Sequence, residues 1–206
     1  GRITIDGVDL KDMAPADIHT HVGVIFQDFI RYSFTARDNI GVGRIEARED
    51  QARIDTAAEQ SLADGVIAKL PKGYDQQLGR LFRQGRDLSG GEWQKVAIAR
   101  AYMRDAELII LDEPTAVLTP QEADQLFTVL ERLRNEGRAV LYISHKLDEV
   151  KRLCDTATIL RGGKKIATCD PHQETASSLA RMMVGSEIGE VKPANDRAAG
   201  VPRLVV

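Results

Sequence analysis

The run Leu108-Ile109-Ile110-Leu111-Asp112-Glu113 constrains the fold of this chain more than any other feature. Its four apolar residues read as a strand, and the two carboxylates that follow are delivered to the C-terminal end of that strand. What flanks the run decides the type of sheet. A helix is predicted before it, from about Gly90 to Met103. A second follows between Pro120 and Glu136, where Ala123, Leu126, Phe127, Leu130 and Leu133 share one face and Gly137 marks the stop. Ala139 to Ile143 is then the next buried strand and Leu147 to Leu153 a short helix. Strands alternating with helices in this way argue for a parallel sheet of α/β type, in which ligands are met at the C-terminal strand ends.

Upstream, Val22-Gly23-Val24-Ile25-Phe26 reads as another buried strand, ended by the polar pair Gln27-Asp28, which puts Gln27 at a strand exit. Ile3-Thr4-Ile5 with Asp6-Gly7 suits a strand running into a tight turn, and Pro15 suits the first turn of a short helix. Residues 34–86 hold helical windows at Gln51 to Leu62 and Gly65 to Leu70, broken at Pro71-Lys72-Gly73, and no convincing strand. They are expected to form a mainly helical insert. Ala157 to Leu160 and Lys164 to Thr168 suit a hairpin across Gly162-Gly163. Residues 186–201, rich in charge, Ala, Pro and Gly, read as a linker, and 202–206 as the start of a second domain.

Composition excludes several classes. With 28 basic against 31 acidic residues and a formal charge of −3, the chain lacks the positive field that binding a nucleic-acid backbone needs. No window reaches the roughly 18–20 consecutive apolar residues of a membrane span. If a membrane is involved, it is through a partner. Cys154 and Cys169 have neither a metal-site nor a disulfide spacing, so they read as reduced thiols.

Three groups of residues suit chemistry. Asp112, at a strand end, is of the type that supports Mg²⁺, which prefers a few carboxylates plus substrate phosphates, and the adjacent Glu113 is placed to polarise a water. Leu88-Ser89-Gly90-Gly91-Glu92 opens a helix with Ser89 and Glu92 at the spacing of a capping box. That box leaves Gly90 and Gly91 unexplained, since each costs about 1 kcal/mol against alanine inside a helix. Two glycines there make sense if something approaches the backbone closely, and a helix N-terminus attracts phosphate. His145 follows the strand Val140-Leu141-Tyr142-Ile143 and is expected on the same sheet edge as Asp112 and Glu113, beside Gln27.

The ordered set Gln27, Leu88-Ser89-Gly90-Gly91-Glu92, Leu111-Asp112-Glu113-Pro114-Thr115 and His145 resembles the Q-loop, signature motif, Walker B and switch histidine of ABC ATPases, over nearly all of residues 1–185. The resemblance implies a partial P-loop NTPase sheet of that type, with a helical subdomain at about 34–100. It implies that Asp112, with Gln27, supports Mg²⁺, that Glu113 is the general base, and that His145 and Gln27 sense the γ-phosphate of ATP. Ser89, Gly90, Gly91 and Glu92 would serve the ATP of a second such domain, packed head to tail. The segment near Gln27, with Phe34 to Asn39, would meet a transmembrane permease, placing the chain at the cytoplasmic face of the plasma membrane. A non-transport ATPase of the family, or a catalytically dead interaction module, is the alternative.

The chain departs from the pattern in two places. No G-x-x-x-x-G-K-[ST] occurs in it, so no phosphate-cradling loop is supplied by these residues. With its start at Gly1, it is expected to be an N-terminally truncated piece that is inactive alone. Thr119 stands where most members have an aspartate, although Thr119-Pro120-Gln121-Glu122 keeps a capping box with proline at the first helical position. The front half, with Phe26-Gln27-Asp28-Phe29, Leu88 to Lys95 and Ala97 to Asp105, resembles exporter-type ATPases. The back half, from Ala116 to Leu147, resembles importers of simple sugars and nucleosides, a chimeric pattern whose halves meet near Leu111 to Thr115.

Overall fold

A computed structural model of the chain describes residues 2–185, which fall into two compact units dividing between Cys154 and Asp155. The first holds β1 (Thr4–Ile5), β2 (Val8–Asp9), α1 (Pro15–His21), β3 (Val22–Ile25), α2 (Ala36–Gly41), α3 (Gln51–Gln60) and α4 (Asp64–Ile67). It continues with α5 (Gly90–Arg104), β4 (Leu108–Asp112), α6 (Pro120–Asn135), β5 (Ala139–Ile143) and α7 (Leu147–Leu153). The second holds β6 (Ala157–Arg161), β7 (Lys164–Cys169) and α8 (Ala176–Val184). The expected linker at 186–201 and the segment at 202–206 lie outside the described residues.

The central sheet is parallel in the order β3-β4-β5, with Ile25 opposite Leu111 and Asp112 opposite Ile143. Because side chains alternate along a strand, one face carries Gly23, Ile25, Ile109 and Leu111, all buried, and packs beneath α5 and α6. Trp93, Val96 and Met103 of α5 and Leu126, Leu130 and Leu133 of α6 complete this core. The other face is open: Val24 is 44% exposed, Leu141 49% and Ile143 45%. The strands over Val22 to Phe26 and Ala139 to Ile143, expected to be buried, are therefore covered on one face only, and the inward residues of the second, Val140 and Tyr142, are half-buried. No described element of this unit covers the second face.

Local chemistry accounts for the helices. Ser89 and Glu92 form a full capping box at the start of α5, as do Thr119 and Glu122 at the start of α6, where Pro120 also fits the first turn. Helices α2 and α3 pack on α5, and the insert between β3 and α5 is helical up to Ile67. Beyond it the chain runs irregularly, tied by isolated bridges between Thr35 and Gln77 and between Leu78 and Arg86. Arg100 of α5 pins the other end of the insert, from Ile30 to Asn39. Its guanidinium donates to the carbonyls of Ile30 (2.6 Å) and Asn39 (2.8 Å) and to Asn39 Oδ1 (2.7 Å), and lies over the Tyr32 ring. Burial pushes it down to about 10.

In the second unit β6 and β7 pair antiparallel across Gly162 and Gly163, both at positive φ, and α8 packs on β6. Helix α8 was not foreseen from the sequence. Its cap, Thr175 with Ser178, departs from the Glu or Gln form that marks a capping box in a sequence.

Candidate functional site

The site lies where β3, β4 and β5 end together. Asp112 closes β4, and its carboxylate makes no hydrogen bond or ion pair among the described residues. Glu113 follows at φ 43°, in the left-handed region that costs a non-glycine residue about 1–3 kcal/mol. Its backbone N–H donates to Ile143 O at 2.9 Å, stitching the β4 exit to β5. That turn brings Glu113 Oε1 to 2.7 Å from His145 Nδ1, across two strand ends. The other carboxylate oxygen, Oε2, is buried and has no hydrogen-bond partner. A strained backbone and an orphaned acceptor on one residue are typical of a site kept for chemistry.

His145 is largely exposed, at 70% of its side chain, whereas Glu113 is at 20%. Gln27 leaves β3 on the same edge, exposed, with no side-chain hydrogen bond to the pair. The strand of Asp112 lies between those of Gln27 and His145, so the three leave the sheet from neighbouring strands of one edge.

Ser89 caps α5, and Gly90, Gly91 and Glu92 open its first turn. Here the structure supplies a cause that the spacing did not reveal. A Cβ on Gly91 would fall 2.2 Å from Glu122 Oε1 and 2.4 Å from its Cδ, so the close approach predicted for this glycine is made by a side chain of the same chain. Gly90 has no such crowding, its nearest neighbours being Val117 atoms at 3.5 Å. Glu122 accepts from Thr119 N at 3.0 Å and from Ser89 Oγ at 3.5 Å, linking the caps of α6 and α5. Gln94 adds a second tie, donating to Pro114 O at 2.6 Å.

Sequence reasoning also missed Glu149. In α7 it receives hydrogen bonds from Thr115 Oγ1 (2.7 Å to Oε1), Tyr142 OH (2.7 Å) and Ser144 Oγ (3.4 Å), with Lys146 Nζ at 3.3 Å. Burial works to raise its carboxyl, but the hydrogen bonds from Tyr142 and Thr115 and the charge of Lys146 outweigh it and hold the group below the ordinary glutamate range. Burial, followed by the bond to Glu149, pushes the Tyr142 phenol well up. No spacing signals this cluster, since an acid in the first turn of a helix is ordinary.

A parallel sheet with a carboxylate pair, a histidine and a capped glycine-containing helix start at one end defines a class, and comparison identifies it. Residues 1–116 match the family model described as ABC transporter, and the chain belongs to that family. It is 38% identical over 208 residues to a ribose import ATP-binding protein of Burkholderia ambifaria, covering 100% of this chain and 40% of that protein. It is 34% identical over 174 residues to the subtilin transport ATP-binding protein SpaT of Bacillus subtilis, covering 84% of this chain and 28% of that one. Among solved structures it is similar to a bacterial Atm1-family ABC exporter with ATP bound, with a TM-score of 0.75 and 29% identity over 90% of this chain and 32% of the exporter. The fold is thus part of a P-loop NTPase sheet of ABC ATPase type. The chain spans well under half the length of the relatives it matches.

Proposed function

We propose that this chain carries the catalytic carboxylate, switch histidine and signature helix of an ATP-hydrolysing transporter subunit. The observation that carries the reading is the 2.7 Å contact of His145 Nδ1 with Glu113 Oε1 at neighbouring strand ends. Glu113 is the general base that takes a proton from the attacking water. His145 holds that carboxylate in place and, with Gln27, reads the γ-phosphate. Ser89, Gly90, Gly91 and Glu92 present a capped helix N-terminus, a favourable partner for phosphate, to ATP held by a second, head-to-tail domain.

Asp112 fits Mg²⁺ in the manner usual for that ion. Its carboxylate is uncommitted, and among the described residues no cluster of three or more His, Cys, Asp or Glu forms a closed cage. The ion would be held by Asp112, assisted by Gln27, and mainly by water and the phosphates, whose charge it would neutralise. The phosphate cradle itself has to come from outside these 206 residues, so the isolated chain is expected to bind Mg-ATP weakly or not at all.

The relatives named for ribose import and for subtilin transport support coupling to a membrane permease, which would select the cargo. No described helix is long and apolar enough to cross a membrane. Attachment at the cytoplasmic face would be through the permease, by the segment near Gln27 with Phe34 to Asn39. We expect His145→Ala in the assembled transporter to slow ATP turnover about 10²–10⁴-fold. Unchanged turnover would contradict the reading.

A further inference from the structure

The contact between Glu113 and His145 needs an explanation beyond the two residues. They sit on loops that leave different strands, His145 is largely exposed, and Glu113 adopts a strained backbone. Something must hold the two loops at a fixed separation.

Glu149 is placed to do so. Its carboxylate accepts from Thr115, two residues beyond Glu113, and from Ser144, immediately before His145. Tyr142, on β5 itself, donates to the same group at 2.7 Å. Lys146, immediately after His145, closes the ring by donating to Thr115 O at 3.1 Å and to Thr115 Oγ1 at 2.9 Å while pairing with Glu149. Thr115 is 1% exposed and the Glu149 side chain 13%, so the bond between them is largely shielded from water, where it is worth more and costs more to break. The residues on both sides of His145 are thereby fastened, through one carboxylate, to the loop that carries Glu113.

We propose that Glu149 is a positioning residue for the Glu113–His145 pair, acting by clamping Thr115 to Ser144 and Lys146. The proposal rests on the role assigned to that pair, but its structural half can be tested separately. Glu149→Gln keeps the size of the side chain while removing its charge and two of its acceptor sites. The loops then lose their common anchor and the pair loosens.

Two measurements on the full-length protein decide the matter. The first follows the imidazole nitrogens by NMR in ¹⁵N-histidine-labelled protein, in which these 206 residues contribute four histidines. The resonance that Glu113→Gln moves belongs to His145. Glu149→Gln is expected to move that resonance in the same direction, with the other imidazoles unchanged. An unmoved His145 resonance would overturn the proposal whatever the enzyme does. The second is steady-state Mg-ATP hydrolysis by the protein assembled with its partners. Glu149→Gln is expected to lower kcat about 10–100-fold with KM within about twofold, the signature of a misplaced group rather than lost binding. In a His145→Ala background it should cost nothing more. An equal fold-loss in both backgrounds would show that Glu149 acts elsewhere, and overturns the proposal. If the native assembly does not hydrolyse ATP, the functional reading falls, and the NMR result alone still decides whether Glu149 positions His145.

Discussion

The side-chain amide of Gln94 donates to the carbonyl oxygen of Pro114 across 2.6 Å, joining the second turn of α5 to the residue after Glu113. Gln94 is only 2% exposed, so this bond has no water to replace it. Gln94→Met preserves the volume and leaves the Pro114 carbonyl unsatisfied. The expected cost is about 1–3 kcal/mol. At about 2–4 °C per kcal/mol for a chain of this size, thermal denaturation resolves it. A Tm within a degree of the native protein would mean that the tie is not made.

The two glycines at the start of α5 should respond differently to alanine. At Gly90 a Cβ meets only ordinary contacts with Val117, so Gly90→Ala is expected to be neutral or stabilising by up to about 1 kcal/mol. At Gly91 a Cβ displaces the Glu122 carboxylate from Thr119, and the loss of that cap, about 0.5–2 kcal/mol, offsets the helical gain. A double-mutant cycle checks the cause. In a Glu122→Ala background the difference between the two alanine variants should vanish, and a persistent difference would refute the steric account.

The network around Glu149 gives stability a definite pH dependence. Its carboxyl is held below its unfolded value, so the folded state prefers the ionised form. That contribution is present above the unfolded pKa of about 4.3 and is lost as pH falls through the lower folded value. Glu149→Gln should therefore cost stability at neutral pH and flatten the acid limb of the denaturation profile. Parallel acid limbs for the two proteins would show that Glu149 carries no such linkage.

The sheet edge and the helix starts beside it were legible in the sequence because they rest on local signals. Leu108 to Leu111 followed by two carboxylates, and the two capping boxes at Ser89 and Thr119, each lie within a few residues of chain and were met as expected. What was not legible depends on contacts between distant segments. The reason for Gly91 lies in Glu122, on the next long helix, and the role of Glu149 lies in Thr115, across two loops. Burial was misread for the same reason. Ala139 to Ile143 is apolar enough for a strand covered on both faces, but its second face meets no described element of its unit. Helix α8 was missed because Thr175 and Ser178 make a cap without the acidic residue that usually advertises one.

The central claim, that Glu113 is the base of an ATP hydrolysis site completed from outside these residues, is tested most directly by Mg-ATP turnover. The chain is compared alone, extended at its N-terminus by a phosphate-loop segment, and extended with Glu113→Gln. The account predicts turnover only in the extended native form, with Glu113→Gln reducing it by about 10²–10⁴-fold. Hydrolysis by the unextended chain, or full activity of the Glu113→Gln form, would contradict it.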